Sequence, residues 1–252
     1  MCTPSCLAFG TRMLTSELVA GRKVIEVGAL DVNGSLRSHV KALGPTSYLG
    51  VDMQSGPGVD EVADASQLVS RYGPESFDLV ITTEMLEHTR NWPEIVSNLK
   101  RIVRPGGHLL VTTRSPGFPY HAYPYDFWRY EPDDMRAIFG DLDVITIESD
   151  PASPGVFMLA RRPEAFQEKS APLSLFSIIT GERTRTVSDL QVRVFRVRYP
   201  VQVRLVALER RLRLRRKVAK TRAAVLRARN AAWRALPLGT RSFLKRVVFR
   251  RA

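Results

Sequence analysis

The segment Lys23-Val-Ile-Glu-Val-Gly-Ala-Leu-Asp-Val-Asn-Gly34, with Tyr48-Leu-Gly-Val-Asp52 after it, constrains the fold more than any other stretch of this chain. Each piece holds a short apolar run with a carboxylate at or near its end. Between them lie a turn of small and polar residues and a helical stretch closed by Gly44-Pro45. That order is a strand, turn, helix and strand of a parallel sheet. Its carboxyl edge suits a nucleoside, because backbone can approach a ligand at glycine and an acid after the second strand can accept from both ribose hydroxyls. The turn lacks the regular Gly-x-Gly-x-x-Gly of a dinucleotide site, having Leu30 and Val32 where small residues are needed. A ligand without a pyrophosphate therefore fits better.

Strand-like and helix-like periods alternate from residue 20 to residue 163, which predicts an open, mostly parallel α/β sheet with helices on both faces. Strands are expected at 24–27, 47–51, 59–62, 77–83 and 108–113, and helices at 35–43, 66–72, 92–103 and 132–139. The helix at 92–103 carries Trp92, Ile95, Val96, Leu99 and Val103 on one side. Residues 142–148 and 156–161 alternate across a short Pro/Gly loop, so they predict an antiparallel pair at one edge.

Charge divides the chain. Residues 1–163 hold 15 Lys and Arg against 20 Asp and Glu, whereas 164–252 hold 23 against 5. The domain reading is thus an α/β domain over 1–163, a linker over 164–190 with a short packed piece near 173–179, and a basic helical extension over 191–252. In that extension Val201, Leu205, Leu208, Leu212, Ala219, Ala223, Leu226 and Trp233 fall near one helical direction, with Arg and Lys on the other sides, and a short basic continuation covers 241–251. A basic amphipathic helix of this kind suits an anionic membrane surface or a protein partner. Packing on the α/β domain or on a second subunit ranks second, and nucleic acid third, because base-stacking aromatics are absent apart from Trp233.

Cys2 and Cys6 are the only cysteines, too few for a disulfide framework and without a nearby His to complete a metal tetrahedron, so incidental or buried thiols and no metal are expected. No apolar run approaches the ~20 residues needed to cross a bilayer. A cytoplasmic location, peripheral at a membrane if the extension binds one, is the default.

In an open α/β sheet ligands bind outside the carboxyl ends of the strands. Glu26 can face a cationic amino group, Gly28, Ala29, Asp31, Asn33 and Gly34 form the turn, Asp52 and Met53 follow the second strand, Asp64 and Ala65 follow the third, and Thr83 and Glu84 end the fourth. Asp64 can accept from an adenine amino group, and Asp31 and Asn33 can shape the turn through bonds to backbone.

With Glu-Val-Gly28, Gly-Val-Asp52, Ala63-Asp64-Ala65, Phe77-Asp-Leu-Val-Ile-Thr-Thr-Glu-Met-Leu-Glu-His88 and Leu99-Lys-Arg-Ile-Val-Arg-Pro-Gly-Gly-His-Leu-Leu-Val-Thr-Thr113 in order, the chain resembles the class I S-adenosylmethionine-dependent methyltransferases. The resemblance covers residues 20–163 and implies a Rossmann-like, doubly wound seven-strand sheet whose last strand is antiparallel. It implies S-adenosyl-L-methionine as cofactor. The first motif departs from the family's Gly-x-Gly-x-Gly pattern.

Methyl transfer from a sulfonium is an in-line displacement, so the protein must position the nucleophile, exclude water and sometimes remove a proton. The aromatic segment 117–130, after the fifth strand, suits a wall for a small polar acceptor, with His121 as candidate general base and Asp126 as its orienter or a second candidate. A Pro-fixed structural lid is the competing reading of that segment. His88 reads as structural. The expected reaction is methylation of an oxygen, with nitrogen second, on a small molecule such as a sugar or lipid-linked glycan intermediate. Two alternatives stand beside it: a non-catalytic cofactor-binding or scaffold protein, and an RNA methyltransferase using the basic tail.

Overall fold

The computed structural model describes residues 2–121, 125–169, 172–235 and 237. Two helices open the chain, α1 (Pro4–Met13) and α2 (Ser16–Val19), and then β1 (Lys23–Val27), α3 (Arg37–Ala42), β2 (Ser47–Asp52) and β3 (Glu61–Val62) follow. After a short 3-10 turn come α4 (Leu68–Tyr72), β4 (Phe77–Thr83), α5 (Trp92–Ile102), β5 (Val103–Arg114), β6 (Trp128–Arg129), α6 (Pro132–Ile138), β7 (Asp143–Ser149) and β8 (Gly155–Arg161). The chain continues through β9 (Leu175–Ser177), β10 (Glu182–Thr184) and α7 (Asp189–Ala235).

Seven strands form one sheet in the order β3-β2-β1-β4-β5-β8-β7. β1 to β5 pair in parallel, and β8 runs antiparallel to both β5 and β7. Strand order reverses at β1 and β4, which is where an open α/β sheet leaves its crevice. This is the Rossmann-like seven-strand fold with an antiparallel final strand. Every residue of β4 is buried, as befits a central strand covered on both faces. Its one acid, Asp78, accepts from the Lys23 amide at 2.7 Å and pairs with Arg104 at 2.9 Å, so a single carboxylate fastens the starts of β1 and β5.

Nothing in the sequence reading placed an element before residue 24, yet α1 belongs to the core. Cys2, Cys6, Phe9 and Leu14 pack with Val24, Leu36, Val40, Leu79, Ile81, Leu110, Phe157 and Leu159. The free thiols are buried and behave as small hydrophobes: Cys2 Sγ donates to Thr83 Oγ1 at 3.1 Å, and Cys6 Sγ lies 3.2 Å from Thr112 Oγ1. Thr3 caps the helix by accepting from the Cys6 amide.

The segment 164–190, expected as a linker with a packed piece near 173–179, carries two short strands, one of them inside that piece. β9 pairs antiparallel with β6 and with β10 in a second, three-stranded sheet, and Leu175 and Ser177 are fully buried. Three residues per strand are too few to show a period, so the segment read as irregular. Residues 1–192 form one compact unit and 193–252 another.

In the second unit α7 is a long helix, but its apolar residues occupy more than one side. Val203, Leu214, Val218 and Val225 are exposed, as are Val201, Leu205, Leu208 and Leu226 of the expected stripe. The side chains of Leu212, Ala219 and Trp233 and the basic continuation at 241–251 lie outside the described residues. Among the described residues no helix is long and apolar enough to cross a membrane.

The loop after β2 folds back on that strand. Asp60 accepts from the Gly50 amide at 2.7 Å and pairs with Arg37, while the Asp31 amide donates to the Pro57 carbonyl at 2.8 Å. Gly50 has no room for a side chain, since a Cβ there would lie 2.2 Å from the Gly58 carbonyl oxygen. Gly50→Ala should therefore cost about 1–3 kcal/mol of stability through overpacking against backbone. Urea unfolding with an unchanged midpoint would contradict that account of the loop.

Candidate active site

The ends of β3, β2, β1 and β4 lie side by side, and the acids expected there are fastened to backbone. Asp52 stands opposite Val62 in the register, with Asp64 two residues beyond it. Asp52 is half-buried; Oδ2 accepts from the Leu30 amide at 3.2 Å and Oδ1 from the Gln54 amide at 3.1 Å. One carboxylate thus joins the loop after β2 to the turn after β1. Asp64 accepts from the Ser66 amide at 2.8 Å, with Ala65 half-buried beside it.

Asp31 does shape the turn, because Oδ1 accepts from the Gly34 amide at 2.8 Å. Asn33 is exposed, and Met53 is 70% exposed on the loop surface. The amides of Gly28 and Ala29 both donate to the Val51 carbonyl. Gly28 is at φ +82°, and a Cβ there would lie 2.8 Å from Met85. A residue other than glycine would strain both the turn and its contact with the segment after β4.

Glu26 lies inside the sheet layer rather than at the rim. It is 2% exposed and accepts a hydrogen bond from the Tyr48 hydroxyl. Burial is the main reason its carboxyl rises to about 7, against the Tyr48 bond, which lowers it. A cation beside it would restore the charged form.

At the end of β4, Thr83 and Glu84 are buried. Glu84 is one of two non-glycine residues with positive φ among the described residues, at +54°, an uncommon conformation held here by its surroundings. Its carboxylate pairs with Arg114, which also contacts Asp150 at 3.2 Å. Burial and then the Glu87 charge push the Glu84 carboxyl up to about 8. Glu84 Oε1 and Thr82 Oγ1 are buried without a hydrogen-bond partner among the described residues.

The aromatic segment after β5 brings His121 back over β4. His121 Nδ1 lies 2.9 Å from Asp126 Oδ2, and Nε2 lies 3.6 Å from Glu87 Oε1. Asp126 is fully buried and is gripped by both terminal nitrogens of Arg129 at 2.5 and 2.7 Å. Burial alone would lower the His121 pKa, but the bond to Asp126 and the facing Glu87 carboxylate raise it to about 9. Glu87 would rise through burial, yet the facing His121 holds it down at about 2. Asp126 is likewise held below the usual carboxylate range by Arg129 and His121, against its own burial.

His88 Nδ1 is 2.6 Å from the Tyr125 carbonyl and so fastens the aromatic segment rather than capping α5. Phe118 stacks edge-on against His121, and residues 122–124 lie outside the described residues. Sequence reasoning missed Glu87, Arg114 and Arg129. Glu87 was legible as the acid beside His88, but Arg114 and Arg129 find their carboxylates only in the folded chain. A cavity of about 430 Å³ beside Ser115, Glu131 and Asp150–Gly155, and another of about 180 Å³ around Arg22, Asp78 and Arg104, are lined by none of the acids at the cofactor edge.

Residues 5–140 match the methyltransferase-domain family, more than half of the chain. The ubiquinone biosynthesis O-methyltransferase of Pseudomonas putida strain F1 is 30% identical over 108 residues, covering 38% of this chain and 45% of that protein. The phthiotriol/phenolphthiotriol dimycocerosates methyltransferase of Mycobacterium leprae is 29% identical over 128 residues, 46% of each chain. The chain therefore spans about half the length of the curated relatives it matches. Among solved structures, the 1,6-didemethyltoxoflavin-N1-methyltransferase of Burkholderia thailandensis, determined with S-adenosylhomocysteine, shares the fold at a TM-score of 0.50 and 17% identity, covering 62% of this chain and 78% of that one. The fold and the acidic strand ends define a nucleoside-binding α/β domain. The chain belongs to the class I S-adenosylmethionine-dependent methyltransferase family.

The residues present fit that family's donor. A buried carboxylate with a raised pKa at Glu26 suits an ammonium, and the unpartnered Glu84 Oε1 stands at the reversal in strand order. Asp52→Ala should weaken binding of S-adenosylhomocysteine by ~1–3 kcal/mol, through lost charge-assisted hydrogen bonds. Calorimetric titration giving an affinity equal to the parent would remove Asp52 from the ribose site.

Proposed function

We infer that this chain transfers the methyl group of S-adenosyl-L-methionine to an oxygen of a small molecule, with nitrogen as the second choice. The observation that carries the reading is His121 held between Asp126 and Glu87 beside the end of β4, next to the strand ends suited to the donor. The O-methyltransferase among the relatives supports oxygen. The aromatic segment 117–130, with Phe118 edge-on to this histidine, suits the apolar face of a sugar or of a lipid-linked glycan intermediate.

The bound donor supplies an electrophilic methyl on a sulfonium. The chain's own task is then to hold the acceptor oxygen in line, keep water out and take the hydroxyl proton. Asp126, locked by Arg129, orients the imidazole, and His121 Nε2 is the atom that receives the proton. A histidine paired with two carboxylates is largely imidazolium at neutral pH, so the active base form grows as pH rises toward about 9.

In chelating buffer kcat/KM should therefore climb about tenfold per pH unit below that value. His121→Asn should lower turnover ~100-fold and flatten the profile. A parent profile that is already flat between about pH 6 and 9 contradicts a base role for His121.

A further inference from the structure

The cluster under the aromatic segment carries a second possibility for its chemistry. Glu87, His88 and His121 each place one ligating atom within 4.8 Å of the others'. These residues come from the segment after β4 and from the loop after β5, so the fold rather than local sequence assembles them.

What surrounds each group matters as much as the spacing. His121 Nδ1 faces the Asp126 carboxylate at 2.9 Å, and His88 Nδ1 faces the Tyr125 carbonyl at 2.6 Å. Each contact orients its ring and, with the proton on Nδ1, leaves the Nε2 lone pair available. Glu87 Oε2 accepts from the Thr113 hydroxyl at 2.8 Å, while Oε1 is buried with no hydrogen-bond partner among the described residues. All three groups therefore have one atom fixed by a neighbour and one atom free to ligate. That is how protein metal ligands are held, with the non-ligating nitrogen of each histidine bonded to a carboxylate or carbonyl.

We propose that Glu87, His88 and His121 form a binding site for a divalent transition-metal ion of the zinc class, with Asp126, Tyr125 and Thr113 as its outer support. Two imidazoles and one carboxylate are the donor set of catalytic zinc and related centres, and three protein ligands leave a position for a water or a substrate oxygen. An acceptor hydroxyl bound there would lose its proton more readily, because the ion stabilises the alkoxide. The ion and a proton compete for the same His121 Nε2, so the base role of that residue belongs to the metal-free chain.

Metal binding is measured with neither donor nor acceptor present, so its failure leaves the methyl-transfer reading intact. Calorimetric titration of the chelator-stripped full chain with zinc chloride should show one equivalent bound. His121→Ala and His88→Ala should each weaken it at least ~10-fold, Asp126→Asn by about 10- to 100-fold, and His108→Ala not at all. No uptake by the parent chain, or parent-like affinity in both ligand variants, overturns the site. Should those variants fail to fold, the cobalt-loaded parent answers instead: two hyperfine-shifted, exchangeable imidazole N–H signals are expected, and none would refute the assignment.

Discussion

A carboxylate taken out of water must find hydrogen bonds or a counter-charge, and the way this chain meets that demand organises its functional edge. Asp52 and Asp64 are half-buried; Asp52 takes the amides of Leu30 and Gln54, and Asp64 that of Ser66. Glu26 takes the Tyr48 hydroxyl, Glu84 takes Arg114, and Asp126 takes Arg129 and His121. The loops at the carboxyl edge are thereby held by the same groups that face the crevice. Removing one acid would loosen a loop as well as delete a ligand.

The unequal protonation of neighbouring groups follows from the same cause. Glu84 and Glu87 are both buried and repel each other, so one gives way. Glu84 rises to about 8, while Glu87, flanked by His88 and His121, stays charged at about 2. Groups driven apart in this way at the reversal of a parallel sheet mark a working site better than any single shifted residue does. The positive φ of Glu84 points the same way, since such strain persists only where the surroundings fix it.

Much of this was legible in the sequence, for a physical reason. Central parallel strands are short and mostly apolar, and acids near their ends stand out, so β1, β2, β4 and their carboxylates could be read directly. The antiparallel edge was read from two strand-like runs across a short Pro/Gly loop, although only β7 alternates and β8 is buried along most of its length. α1 was hidden because its buried positions, Cys6, Phe9 and Gly10, hold only one large apolar side chain. β6, β9 and β10 were hidden because strands of two or three residues carry no period. The partners of Arg114 and Arg129 were out of reach for another reason: a buried arginine looks like a surface arginine until the fold supplies its carboxylate.

The central claim is that the strand ends at Asp52 and Asp64 meet one adenosine-bearing ligand. Backbone NMR of the full chain during titration with S-adenosylhomocysteine tests it, because the amides of Leu30, Gln54 and Ser66 donate to those two carboxylates. The account predicts that these three signals shift together along one saturable curve. Saturable binding that leaves all three unmoved, or no binding at all, would contradict it.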